Sequence, residues 1–154
     1  MNEIPILEIR RIEANIIRPI YEQMVSELGR EKAQQILGLA IEKAAIEQGK
    51  SMAEESADGP SLRAFIHLFE RWKMGGALEV EVLHESDDQF DFNVTRCRYA
   101  EMYQDMGMGD IGHLLSCARD GSFCTGYDPR IELDRGQTIM GGSSHCNFRY
   151  RVKR

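Results

Sequence analysis

The N-terminal part of the chain alternates apolar and polar positions with the period of an α-helix. Apolar residues recur every three or four positions from Ile9 to Leu28, which predicts an amphipathic helix. Pro19 lies inside this stretch. Because proline removes a backbone donor and clashes with the preceding turn, we expect a kink or two abutting helices there. The apolar stripe consists of Ile9, Ile12, Ile16, Ile17, Ile20, Met24 and Leu28.

A second stretch with helical period runs from about residue 31 to residue 48. Gly29 and Gly49 stand at its two ends, and glycine suits the left-handed turn that commonly closes a helix. The apolar stripe consists of Ala33, Ile36, Leu37, Ala40, Ile41, Ala44 and Ala45.

A polar linker over residues 50–60 precedes a third predicted helix. Ser61 is suited to cap this helix, and Gly75 with Gly76 ends it. Its apolar positions are Leu62, Phe65, Ile66, Phe69 and Trp72.

Beyond residue 77 the period of the pattern changes to two, which is typical of half-buried strands. Residues 78–82 and 90–94 alternate in this way, and the polar residues 85–88 between them predict a hairpin turn. Two later strands are predicted over residues 130–133 and 146–152.

Short helices are predicted between these strand pairs, over residues 99–106 and 110–119, around a glycine-rich break at residues 107–109. Helices therefore come first and strands mostly later. This order predicts an α+β fold in which N-terminal helices pack on one face of a roughly four-stranded antiparallel sheet. The length of 154 residues fits a single domain, residues 1–154.

Composition narrows the function classes. The net charge of −6 argues against a nucleic-acid partner, because such binding depends on clustered basic residues. Charge is mixed through the N-terminal region, so we expect neither a signal peptide nor a membrane span, and a cytoplasmic location. The four cysteines are accordingly expected to stay reduced.

The densest polar cluster lies in residues 110–120. On an α-helix, Asp110, His113 and Cys117 would share one face at spacing i, i+3, i+7, with Asp120 one turn beyond Cys117. A cysteine becomes a nucleophile when a base or a positive neighbour promotes its thiolate, and these residue types can supply both. The alternative is that Cys117 only fills the core, since cysteine is among the most buried residue types.

Cys97 ends the second predicted strand and Cys146 begins the last, so the sheet could bring both thiols near Cys117. Cys146 also shares the parity of the apolar positions of its strand and could simply pack in the core. Cys124 lies in a loop-like stretch and is given an incidental role.

A zinc site is not predicted, because the chain lacks the closely spaced cysteine or histidine pairs of structural sites. The only credible set of metal ligands in the sequence is Cys97, Cys117, Cys146 and His145. We expect no metal and no cofactor.

Several ordered motifs resemble those of one family, the L-2-amino-thiazoline-4-carboxylic acid hydrolases. The N-terminal half contributes RIEA at 11–14 and ELGRE at 27–31, and the C-terminal half contributes RCRYAE at 96–101, LSCARD at 115–120, TIMG at 138–141 and CNFRY at 146–150. Asn147 stands where the family often has an acidic residue, which weakens any acid–base role for that position.

The resemblance implies a hydrolase that opens the ring of an aminothiazoline carboxylate to give N-carbamoyl-cysteine, in a pathway that makes cysteine. The reaction class expected for this chain is hydrolysis of a carbon–nitrogen bond in a small cyclic amidine. The substrate of this chain can differ from that of the family's namesake.

The mechanistic hypothesis gives Cys117 the role of nucleophile and Asp120 that of acid and base. Activation of water by Asp120 alone stays open. Either Arg149 or Arg98 would pair with the substrate carboxylate through a bidentate fork. The remaining substrate-binding residues in this hypothesis are Cys97, His113, His145 and Cys146.

Two other functions stay open. The order of helices and sheet also resembles vinyl-reductase-type domains, which implies a non-catalytic module that encloses a small ligand with walls formed by Phe90, Phe92, Tyr103 and Phe123. A structural subunit that dimerises through a helical face is the third reading, so the expected partners are a small molecule and a second copy of the chain in a homo-oligomer.

Overall fold

The computed structural model describes residues 4–153, and within this range the chain forms five α-helices and a four-stranded sheet. In chain order these elements are α1 (Ile6–Leu28), α2 (Arg30–Glu54), α3 (Leu62–Lys73), a 3₁₀ turn (Met74–Gly76), β1 (Leu78–Glu85), β2 (Gln89–Cys97), α4 (Arg98–Asp105), a π-helix (His113–Cys117), α5 (Arg119–Tyr127), β3 (Ile131–Asp134) and β4 (Cys146–Val152).

The sheet has the strand order β1-β2-β4-β3, and all neighbouring strands are antiparallel. In its centre Phe92 of β2 pairs with Phe148 of β4, and Val94 pairs with Cys146. The side chains at these positions face the helices, whereas the alternate positions Asn93 and Arg149 point to the other face. The predicted α+β fold, with helices before the sheet and short helices between its strand pairs, is confirmed.

The hydrophobic core consists of two clusters of buried side chains. One cluster joins α1, α2 and α4 with the segment around Met108 and Ile111. The other joins α3 and α5 to the inner face of the sheet. Trp72, Leu78 and Cys97 pack against both clusters, so the boundary between them lies where α3, β1 and the end of β2 meet.

Several predicted element ends agree with the structure. The Ser61 hydroxyl accepts a hydrogen bond from the Ala64 amide at 3.0 Å and caps α3. The predicted hairpin turn is present, because the Ser86 amide donates to the Gln89 carbonyl at 2.8 Å.

The buried face of α1 differs from the predicted stripe. Ile12, Ile16 and Ile20 are exposed, and the residues that α1 buries include Arg10 and Tyr21. Pro19 does not divide the helix in two, since α1 runs without interruption across it. Two residues further on, the Tyr21 hydroxyl donates to Asp110 at 3.2 Å and accepts from Gln34 at 3.2 Å, which ties α1 to α2 and to the segment around Asp110.

Gly49 does not end α2, which continues to Glu54 and so includes the first residues of the predicted linker. This glycine instead lets α2 and α5 approach each other closely. A Cβ at Gly49 would clash with the Phe123 carbonyl oxygen, and a Cβ at Gly126 would clash with the Ile46 carbonyl oxygen. The two glycines face the opposite backbone across this contact, so the position of α5 depends on both.

Candidate functional site

Two adjoining cavities lie at the boundary between the two core clusters. The first, here called the cysteine cavity, has a volume of about 50 Å³. It is lined by Phe69, Trp72, Leu78, Val94, Cys97, Tyr99, Ser116, Cys117, Asp120, Arg135, Cys146 and Phe148. The second, the arginine cavity, has a volume of about 30 Å³. It is lined by Arg10, Gln48, Phe65, Phe69, Trp72, Ser116, Arg119, Asp120, Phe123 and Tyr150.

The two cavities share four lining residues, Phe69, Trp72, Ser116 and Asp120. Asp120 is the ionisable member of this shared wall. Its side chain lies in the first turn of α5 and keeps 28% of its surface accessible. A molecule bound in either cavity would therefore be close to this carboxyl group.

The sheet brings two of the three cavity thiols into place. Cys97 is the last residue of β2 and caps α4, where its sulfur accepts a hydrogen bond from the Ala100 amide at 3.4 Å. Cys146 begins β4 opposite Val94, and its sulfur accepts from the Ile139 amide at 3.2 Å. Both residues line the cysteine cavity, as does Cys117.

Cys117 reaches the cavity from a π-helix. The Ala118 amide donates to the His113 carbonyl at 2.8 Å, a five-residue spacing that adds one residue to the turn. This extra residue changes which side chains share a face. The predicted common face of Asp110, His113 and Cys117 is therefore wrong, because only Cys117 lines the cavity and His113 is exposed.

Asp110 precedes the π-helix and has a structural role. Its carboxylate accepts hydrogen bonds from Arg30 at 2.6 Å and from the Tyr21 hydroxyl at 3.2 Å. These bonds join α1 and α2 to the segment before the π-helix, outside both cavities.

Asp120 forms an ion pair with Arg135, which follows β3. The Arg135 guanidinium donates to the Asp120 carboxylate at 2.5 Å and to the Cys117 carbonyl at 2.9 Å. It also lies over the Phe148 ring, 5.0 Å from the ring centroid. Burial raises the pKa of Asp120, and the neighbouring Arg135 charge opposes this rise.

Sequence reasoning missed Arg135. Its local sequence, a short polar stretch between two strands, is that of an ordinary surface arginine. Only the antiparallel pairing of β3 with β4 brings the end of β3 beside the inner face of the sheet.

The thiols of the cavity are neutral at pH 7. Burial raises the pKa of Cys97 to about 11. Burial also raises the pKa of Cys117 well above its ordinary value, and the negative charge of Asp120 adds to this effect. The pKa of Cys146 is raised for the same main reason. A nucleophilic thiolate in this cavity consequently needs a base or an added positive charge.

The arginine cavity contains two buried guanidinium groups. Arg10 donates to Glu13 at 2.9 Å and to the Gln48 side-chain oxygen at 3.5 Å. Arg119 donates to the Leu115 carbonyl at 2.6 Å and lies 3.6 Å from Glu13. Burial, and next the charge of Arg10, lower the pKa of Arg119 to about 10.

Neither arginine was assigned a role from the sequence. The one available signal is that Arg10 stands four residues before Ala14, which is buried on the same face of α1. The direction of the Arg119 side chain depends on the π-helix that precedes α5, so the regular period of an α-helix does not predict it.

Three other residues assigned to substrate binding lie outside the two cavities. Arg98 is exposed at the start of α4. The His145 ring is hydrogen-bonded to the Ser144 hydroxyl at 2.9 Å. Arg149 points to the outer face of the sheet, where it donates to the Phe92 carbonyl at 3.0 Å and to the Asn93 side chain at 3.1 Å. The alternation of β4 explains this, since its neighbours Phe148 and Tyr150 point inward.

The walls predicted for a ligand-binding module are mostly core. Phe123 lines the arginine cavity, whereas Phe90, Phe92 and Tyr103 are buried and line neither cavity. Aromatic side chains from α3 take their place, among them Phe69 and Trp72, which line both cavities.

Over residues 4–153, no group of three or more histidine, cysteine or acidic side chains is arranged to hold a metal ion. All four cysteines are free thiols, and Cys124 is buried in the core away from both cavities. None of the helices in the described part of the chain is long and apolar enough to cross a membrane.

Enclosed cavities with aromatic walls and a few convergent polar groups are typical of small-molecule sites. The protein is thus an α+β domain with two adjoining cavities of this kind between its helices and the inner face of its sheet. The model of the L-2-amino-thiazoline-4-carboxylic acid hydrolase family matches residues 9–150, and the chain belongs to this family. The family name supports a hydrolase. Comparison with curated protein sequences gives no significant match.

Solved structures share the fold at low sequence identity. The phenol-responsive sensory domain of the transcription activator PoxR, solved with phenol, is 12% identical with a TM-score of 0.55. That match covers 89% of this chain and 73% of the sensory domain. A trafficking protein particle complex subunit 3 from Naegleria fowleri, covalently bound to palmitic acid, is 15% identical with a TM-score of 0.51 and covers 94% and 97% of the two chains.

Proposed function

We propose that this protein hydrolyses a small cyclic amidine of the aminothiazoline carboxylate type in the cysteine cavity. The observation that carries the proposal is that Cys117 and Asp120 line one cavity together with Cys97 and Cys146. Family membership supports hydrolysis as the reaction class. The substrate class and the roles of individual residues are our proposal.

The chemistry of the substrate supplies what the thiol lacks. A protonated amidine is a cation, so Asp120 attracts it, and its charge lowers the pKa of a neighbouring thiol. In the proposed mechanism Asp120 accepts the Cys117 proton as the sulfur attacks the amidine carbon. The raised pKa of Asp120 suits this role, because such a carboxyl exchanges protons closer to neutral pH than an exposed one.

One ring bond of the amidine carbon then breaks, and Asp120 gives its proton to the departing ring atom, which leaves the opened substrate bound through that carbon to the Cys117 sulfur. Asp120, again ionised, accepts a proton from water as the water attacks this carbon. The bond between the carbon and the Cys117 sulfur breaks, and Asp120 returns the proton to the Cys117 sulfur, which releases the product. The bond that breaks in the ring decides the product. Cleavage between carbon and sulfur gives N-carbamoyl-cysteine with a free thiol, a precursor for cysteine formation in the cytoplasm. Cleavage between carbon and nitrogen, the reaction class expected from the sequence, gives the S-carbamoyl isomer. A thiol reagent applied to the product distinguishes the two.

The test is hydrolysis of 2-aminothiazoline-4-carboxylate by the purified protein and its variants. We expect Cys117→Ala and Asp120→Asn each to lower turnover by about 100-fold or more, a typical loss for a nucleophile or an acid–base group. Cys124→Ala removes a buried thiol that lines neither cavity and serves as the matched control. Wild-type turnover in Cys117→Ala would exclude covalent catalysis and leave direct attack by water.

A second candidate function is a non-catalytic domain that binds a small molecule. The structure of the similar sensory domain solved with phenol and the aromatic walls contributed by Phe69 and Trp72 favour it. This candidate predicts ligand binding that survives in a Cys117→Ala, Asp120→Asn double variant, with no turnover by any form of the protein. Turnover that depends on Cys117 would exclude it.

A further inference from the structure

The arginine cavity holds two guanidinium groups that are almost fully buried. Arg10 keeps 3% of its surface accessible and Arg119 keeps 8%. Both side chains line the cavity together with Gln48. Buried cations are costly unless a negative charge and hydrogen-bond acceptors surround them, so their neighbours decide what this cavity can bind.

The nearby carboxylates do not balance these cations. Glu13 is the carboxylate that pairs with both, at 2.9 Å from Arg10 and 3.6 Å from Arg119. Asp120, on the shared wall, is paired with Arg135 at 2.5 Å. Three arginines therefore face two carboxylates around the adjoining cavities. The excess is one positive charge, beside a cavity of about 30 Å³.

We propose that Arg10 and Arg119 bind the carboxylate of the ligand and that these two residues set the preference of the site for it. This inference rests on the proposed ligand site and names the part of the ligand that the arginine cavity recognises. A carboxylate there supplies the missing negative charge and accepts from guanidinium groups in their preferred planar geometry. The heterocycle then lies across the shared wall, against Asp120 and the thiols.

The arrangement also explains why Arg135 is not the carboxylate partner. One nitrogen of its guanidinium already donates to Asp120 and another to the Cys117 carbonyl. Its position beside the proposed reacting thiol serves to hold Asp120. The two ends of the proposed site thus have different roles. Arg10 and Arg119 bind the anionic group, and Asp120 takes part in acid–base chemistry.

The test compares two probes that cannot undergo amidine hydrolysis, thiazolidine-4-carboxylate and its carboxamide, by calorimetric titration. We expect the wild-type protein to bind the carboxylate about tenfold or more tightly than the carboxamide, which is the usual effect of a charge-assisted pair. In Arg10→Gln and in Arg119→Gln this preference falls to within about threefold. Arg11→Gln is the matched control, because Arg11 is the exposed neighbour of Arg10 on α1 and pairs with Glu8.

Arg119→Lys guards against misfolding of the glutamine variants, since it keeps the charge and loses the planar fork, and we expect an intermediate preference. Equal binding of the two probes by the wild-type protein, or binding of neither, would overturn the inference, as would a full preference retained in both glutamine variants. Carboxylate preference without turnover supports the inference and contradicts the proposed hydrolysis. Equal rates of hydrolysis of 2-aminothiazoline-4-carboxylate and of 2-aminothiazoline, which lacks the carboxylate, would support the proposed hydrolysis and contradict the inference.

Discussion

At the scale of the residue, the reactivity of Cys117 depends on its charged neighbours. Burial and the Asp120 carboxylate both raise the pKa of this thiol, while Arg135 lowers it. In the absence of substrate the sulfur is protonated and a poor nucleophile. A thiol of this kind becomes reactive when a cation enters the cavity or when the carboxylate charge is removed.

We therefore expect Asp120→Asn to increase the rate at which iodoacetamide alkylates Cys117 at pH 8 by about three- to tenfold, since one pKa unit changes the thiolate fraction about tenfold. Mass spectrometry of the labelled peptide measures this rate. Asp134→Asn, at the exposed end of β3, is the control and should leave the rate unchanged. A slower or equal rate in Asp120→Asn would contradict the electrostatic account.

The Cys97 thiol couples folding to pH. Its pKa is about 11 in the folded protein against 9.0 for an ordinary thiol. As pH rises, the unfolded state loses this proton before the folded state does. The contribution of Cys97 to the free energy of unfolding is therefore fully present below pH 9 and is lost between pH 9 and pH 11.

Cys97→Ser keeps an acceptor for the Ala100 amide but removes the thiol. We expect its free energy of unfolding to fall by about 2 kcal/mol less than that of the wild-type protein when the pH is raised. Urea unfolding at pH 8 and at pH 10.5 measures the difference between the two proteins. Equal pH dependence in both would show that Cys97 ionises normally in the folded state.

At the scale of the element, the contact between α2 and α5 positions Asp120. Gly49 and Gly126 permit this contact, and each faces a backbone carbonyl of the opposite helix. Backbone atoms cannot move aside as a flexible side chain can. A methyl group at either position therefore separates the helices and displaces the start of α5.

We expect Gly49→Ala or Gly126→Ala to lower the free energy of unfolding by about 2–4 kcal/mol, a typical cost of overpacking against rigid groups. Gly121→Ala is the control within α5, where an added Cβ meets nothing within 4 Å. There the higher helix propensity of alanine should be neutral or stabilise the protein by up to about 1 kcal/mol. Urea unfolding at neutral pH measures all three variants.

At the scale of the whole molecule, the cavities lie where the two core clusters meet. Trp72, the only tryptophan of the chain, packs against both clusters and lines both cavities. A ligand bound there contacts α3, α5 and the sheet at once. Its binding energy should therefore stabilise the whole domain and not one part of it.

We expect 2-aminothiazoline-4-carboxylate at 100 times its dissociation constant to stabilise Cys117→Ala by about 2.7 kcal/mol. For a chain of this length that raises the melting temperature by several degrees, on the order of 5–10 °C. Trp72 fluorescence and far-ultraviolet circular dichroism should show the same shift in a single transition. Separate transitions by the two probes would mean that the core clusters unfold independently.

The sequence predicts the elements of this protein better than it predicts their contacts. The period of apolar positions located α1, α2 and α3, and the alternation around Phe148 located β4. The same period misjudged the buried face of α1, because only part of the apolar stripe, such as Ile17, packs against the core, whereas Ile16 is exposed. Helix period depends on the backbone, whereas the buried face depends on the element that packs against it.

By itself the sequence determined the order of helices and strands, the family motifs, and the inward direction of Cys146 in β4, because these follow from local backbone geometry. Only the tertiary structure decided that Arg10, Arg119 and Arg135 line the cavities and that Arg149 points to the outer face of the sheet. Each of these arginines acts through groups that the fold brings near it. The charges inside the cavities are therefore a property of packing, since burial and long-range pairing give otherwise ordinary arginines their role.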